Sequence, residues 1–121
     1  MSPNAERRCH TRVQTALPVR CQTSTYVDEA AIALDLSLSG AQILVNKNYN
    51  YDGPLELEIE LGRRSRLMLR GRAVWSSQLD DYNALVGIEF GGLGANEQRL
   101  TNWLDEHCRF TELLYTYCED R

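Results

Sequence analysis

Between Leu55 and Leu61 the chain alternates apolar residues with glutamates without a break, Leu-Glu-Leu-Glu-Ile-Glu-Leu. A period of two sends one set of side chains to each face of a pleated backbone, so this segment reads as a strand with one face in a core and the other in water. Gly62-Arg63-Arg64-Ser65 then makes a short polar connection to a second apolar run, Leu67 to Trp75, which predicts a hairpin. Gly71 inside that run marks either a bulge or a close backbone approach.

Upstream, strands are predicted around Thr15 to Gln22, Ala30 to Asp35 and Ala41 to Asn46, and downstream around Ala84 to Phe90, with turn-forming residues between them. Six short strands with no intervening helix imply an antiparallel sheet, and so small a set hides its edges by closing into a barrel. From Asn96 the pattern changes to helix. Asn96 reads as the cap, and Leu100, Trp103, Leu104 and His107 share one face at helical spacing, suited to packing on the open end or side of the barrel. The pattern continues through Phe110, Leu113, Leu114 and Tyr117, where the extra apolar length either extends the core or meets another subunit. The expected fold is therefore all-β dominated, a six-stranded antiparallel barrel over residues 13–118 with a C-terminal helix. At 121 residues, one domain is the expectation.

The formal net charge of −4 argues against bulk electrostatic binding to DNA, RNA or an anionic membrane. No apolar run approaches the roughly 18 residues that span a bilayer, and Met1 to Arg8 lacks the apolar core of a secretory signal, so membrane insertion is not expected and a cytoplasmic location is. Any anion site must be local. Twelve of the thirteen basic residues are arginine, whose planar donor fork suits phosphate and the O6/N7 edge of guanine. Cys9, Cys21, Cys108 and Cys118 form no Cys-x-x-Cys pair, and no metal is assigned. His10 and His107 lack a nucleophile and carboxylate arrangement, and no phosphate-cradling Gly-rich loop is followed by Lys and Ser or Thr, so an enzyme is not expected.

Two arrangements carry chemistry. The first is Arg8-Cys9-His10-Thr11-Arg12, preceded by Arg7, which in an irregular segment can close around an anion from two directions. The second is Asp35-Leu36-Ser37-Leu38-Ser39-Gly40, placed where one strand ends and the next begins. An ionised Asp35 offers only acceptors and can take the N1–H and exocyclic amine of guanine. The Ser37 hydroxyl either bonds a phosphate oxygen or braces the turn, and Gly40 permits a positive φ or a close approach of backbone to ligand. The plain structural reading is a solvated basic tail and a turn bonded to its own backbone.

Arg-x-x-x-Arg followed after a strand pair by Asp-x-Ser-x-x-Gly resembles the signature of PilZ domains. Arg70-Gly71-Arg72-Ala73-Val74-Trp75 and Leu85-Val86-Gly87-Ile88-Glu89-Phe90 resemble the later strands of that family, so the likeness runs roughly from Arg7 to His107. It implies a bacterial receptor that binds the second messenger cyclic di-GMP on the outside of the barrel, with no other cofactor. Carried over by position, Arg8 and Arg12 contact phosphate and the guanine O6/N7 edge, Asp35 and Ser37 read the base and its surroundings, and Gly40 shapes the turn. Arg7 lies where the family sets whether one dinucleotide or a stacked pair is held. Trp75 either stacks on guanine or is an ordinary core or barrel-surface aromatic. Arg70 and Arg72 share a face, and pairing with Glu56, Glu58 or Glu60 is expected ahead of ligand contact. Residues 1–12 are expected to be a mobile arm that orders on the ligand and alters the surface offered to an effector protein. The alternative is a PilZ-like interaction module that does not use nucleotide.

Overall fold

A computed structural model of the protein describes residues 12–47, 51 and 53–119, with side chains as far as Cys108. Its strands are β1 (Val13–Gln22), β2 (Val27–Leu36), β3 (Gly40–Asn46), β4 (Pro54–Gly62), β5 (Ser65–Gln78) and β6 (Asn83–Phe90). Every pairing is antiparallel, and the order β1-β2-β3-β6-β5-β4 closes into a barrel. A 3-10 turn (Gly94–Asn96) leads into helix α1 (Glu97–Glu119). No described helix is long and apolar enough to cross a membrane.

The alternation in β4 does what its period requires. Leu55, Leu57 and Ile59 are fully buried, each such side chain contributing about 1.5–3 kcal/mol, while Glu56, Glu58 and Glu60 stay outside. Across the hairpin Leu57 meets Leu69 and Ile59 meets Leu67. Outside, Arg66 reaches Glu58 at 3.3 Å and Arg70 reaches Glu56 at 3.8 Å, surface pairs of little energetic weight. Arg72 departs from the expected pairing and turns to Glu89 on β6 at 3.5 Å, because Arg72 and Glu89 are direct cross-strand partners whereas its β4 partner is Pro54. At Gly71 a Cβ would stand 2.5 Å from the Glu89 carbonyl oxygen, so this glycine marks a close approach of β5 to β6.

Antiparallel pairing brings the start of β1, the β2–β3 turn, the β4–β5 turn and the end of β6 to the same end of the barrel. Helix α1 starts there, and its Leu100, Trp103, Leu104 and Cys108 join the barrel's own core. Trp103 Nε1 donates to the Leu61 carbonyl at 3.2 Å, and Arg99 donates to Ser65 Oγ and the Arg66 carbonyl, both at 2.9 Å. Asn96 does not spend its side chain on capping: its Nδ2 donates to the Met68 carbonyl at 2.7 Å and ties the turn to β5. The buried place at the end of the helical face goes to Cys108. His107 is half-buried, stacked on Trp103 with ring centres 3.9 Å apart. In β1, burial and the charge of Asp28 push the Cys21 thiol up to about 12, so it remains a neutral core side chain.

Candidate ligand-binding site

One row of cross-strand partners crosses the outside of four strands: Asp35 on β2, Gln42 on β3, Gly87 on β6 and Trp75 on β5. Three strand spacings of about 4.8 Å make the row some 14 Å long measured around the barrel wall. A β-bulge precedes each end. Ala33 pairs with Ile43 and Asp35 with the next residue, Gln42, so Leu34 is extra in β2; Ala73 pairs with Ile88 and Trp75 with Gly87, so Val74 is extra in β5. Side chains alternate between faces, so Ala33 and Asp35 would both point into the barrel without the extra residue, and so would Ala73 and Trp75. The bulges turn Asp35 and Trp75 to the outside.

Asp35 keeps only 8% of its surface exposed. Its Oδ1 accepts from Arg12 at 2.8 Å and from the Gln42 backbone N–H at 3.0 Å, and no described group donates to Oδ2. The carboxylate thus pins the end of the arginine segment against the barrel and retains an acceptor oxygen. More than half of the Arg12 side chain stays exposed, leaving further N–H donors of its fork for an anion.

Ser37 and Gly40 build the β2–β3 turn. Ser37 Oγ accepts from the Ser39 and Gly40 N–H groups and donates to the Gly40 carbonyl, each at 3.2 Å, and Ser37 is 4% exposed. Of the two roles open to its hydroxyl, the structure shows the brace. Gly40 has no positive φ. A Cβ there would sit 2.0 Å from the Ile88 carbonyl oxygen, so a close approach to β6 by itself demands glycine here. The Phe90 N–H donates to the Ser39 carbonyl at 2.8 Å and clamps the turn to the same strand.

Trp75 is 43% exposed and lies over Gly87, so it is an aromatic of the barrel surface and not of the core. Beside the row, Gly40, Glu89, Arg72 and Pro54 form the next outward line of partners, and Arg72 and Glu89 border a cleft of about 540 Å³ that also includes Arg70 and Phe90. Arg7 and Arg8, with Cys9 and His10 in the same loop, lie outside the described residues. Among the described candidates, then, Arg12 and Asp35 touch, Ser37 and Gly40 shape the adjoining turn, and Trp75 stands at the far end of the Asp35 row. Gln42 and Gly87 were missed by sequence reasoning. Their signals are present, a single polar residue in Ala-Gln-Ile-Leu-Val and a glycine in the middle of a strand, but neither names a partner.

The row offers a donor fork, an acceptor and an exposed indole, a set able to hold a phosphate and stack a base. Comparison with known proteins agrees on the framework. A search of curated proteins finds no match. Among solved structures, the Bacillus subtilis inhibitor of motility (MotI/DgrA) resembles this fold with a TM-score of 0.65 at 15% identity, covering 84% of this chain and 49% of that one. The chain thus spans about half the length of that structure. The family model of the PilZ domain matches residues 6–106, and the chain belongs to the PilZ domain family.

Proposed function

We propose that this protein is a cyclic di-GMP receptor that grips its ligand on the outer row between Arg12 and Trp75 and signals through a protein contact, with no bond made or broken. The observation that carries the reading is the outward row itself. Arg12 and Asp35 at one end and the Trp75 indole at the other are set on four strands of a PilZ-family barrel.

In this reading Arg12, with Arg8 and Arg7 ahead of it, supplies guanidinium donors to the phosphates and to a guanine O6/N7 edge. The free oxygen of Asp35 accepts from a guanine N–H, and the exposed indole stacks a base, a contact typically worth about 1–3 kcal/mol. Ser37 and Gly40 act by holding the turn that carries Asp35. Ligand dianion neutralises the concentration of arginines in residues 1–12 and orders that segment on the barrel, which changes the surface available to an effector.

Titration calorimetry with cyclic di-GMP on the wild type and on Arg12→Ala tests the reading. The expected result is saturable binding at micromolar concentration or tighter, weakened on the order of tenfold or more by the substitution, about 1.4 kcal/mol. Heat indistinguishable from dilution, from protein shown to be folded, would overturn it. The same titration with a single-stranded oligonucleotide should give no salt-sensitive binding.

A further inference from the structure

Gly87 lies in the interior of β6 with no positive φ, a setting in which glycine weakens a strand and has no conformational need to be there. Gly40 and Gly71 have an evident reason, since a Cβ at either would strike backbone oxygen of the neighbouring strand. Gly87 is different: the three atoms nearest to its Cβ would all belong to the Trp75 indole, at 2.1 Å for Nε1, 2.3 Å for Cε2 and 2.7 Å for Cδ1. The pyrrole edge of the indole therefore occupies the space a side chain would fill. Direct pairing of Trp75 with Gly87, together with the bulge at Val74, brings the indole over this bare stretch of backbone.

From this we infer that Gly87 is the positioning residue for Trp75: the missing side chain lets the indole lie down on β6 beside Gln42 and present its outer face as a platform for a base. The inference rests on the cyclic di-GMP reading for its consequence, though the placement of the indole stands apart from it. Any side chain at position 87 lifts or swings the ring. Because Trp75 is exposed, the ring can move into solvent without disturbing the core, so the effect falls on ligand grip and not on folding.

The test labels both indoles with 5-fluorotryptophan in the full chain, so that Trp75 and the buried Trp103 give separate fluorine resonances. Gly87→Ala is expected to move the Trp75 resonance, leave that of Trp103 in place and keep the midpoint of thermal unfolding near the wild-type value. Cyclic di-GMP affinity should fall about tenfold, as it should in Trp75→Ala, and the double variant should lose no more than either single one. An unmoved Trp75 resonance, wild-type affinity in Gly87→Ala, or losses that multiply in the double variant would each overturn the inference. Should the wild type not bind cyclic di-GMP, the functional reading fails and the fluorine resonances alone decide the positioning. Should Gly87→Ala not fold, the Gly87 Hα shift decides. Ring current should displace it upfield in the wild type and release it in Trp75→Ala, and equal shifts in the two would refute the placement.

Discussion

Asp35 and Ser37 are both nearly buried polar residues two positions apart, and they spend their hydrogen bonds in opposite directions. Asp35 reaches away from its turn, to Arg12 and to the backbone of Gln42, both through Oδ1. Ser37 turns inward and satisfies Ser39 and Gly40. Removing its hydroxyl leaves two N–H groups without that acceptor, so Ser37→Ala should lower unfolding stability by about 1–3 kcal/mol in urea titration. Affinity should weaken only as far as the turn loosens; an unchanged denaturation midpoint would count against the brace. The residue types of the Asp-Ser-Gly turn were legible in the sequence as a place of special chemistry, but which bonds they make was not. The donor and the obstacle that decide it, the Gln42 N–H and the Ile88 carbonyl, sit on other strands.

At the scale of elements, the strict alternation in β4 carries through to its buried and exposed faces, and the hairpin to β5 follows from it. Extending the same parity along β5 would send Trp75 inward with Leu69 and Ala73. The extra residue Val74 reverses that parity, and a bulge is a property of the pairing with β6, invisible in β5 taken alone. For this reason a barrel aromatic and a base-stacking surface were both open readings of Trp75. The helix was legible in its periodicity, while its anchoring to carbonyls of Leu61, Arg66 and Met68 depends on where the hairpin ends in space. Leu104 is fully buried where α1 meets the barrel, so Leu104→Ala should cost about 2–5 kcal/mol of stability. Thermal unfolding should reveal that loss, with cyclic di-GMP affinity at low temperature close to wild type, because α1 contributes no residue to the row. A normal unfolding midpoint would show that the helix is not part of the barrel's core.

In the whole molecule, the candidate site exists only once β2, β3, β6 and β5 have paired, since its row takes one residue from each. The outer faces of β4 and the first part of β5 are charged and paired among themselves, through Arg66 with Glu58 and Arg70 with Glu56. The row from Asp35 to Trp75 carries one carboxylate, latched to Arg12, and otherwise no charge. The candidate row thus runs across β2, β3 and β6 and reaches the strand beside β4 only at Trp75. Ligand bound there should select the closed barrel over the unfolded chain and raise its stability by mass action. Backbone amide and indole N–H shifts in two-dimensional NMR during a cyclic di-GMP titration report the location of the ligand directly. The largest changes are expected at Gln42, at Gly87 and at the Trp75 indole N–H, with Glu56, Glu58 and Met68 unmoved. Changes centred instead on β4 and the start of β5, or no saturable change anywhere, would contradict the account.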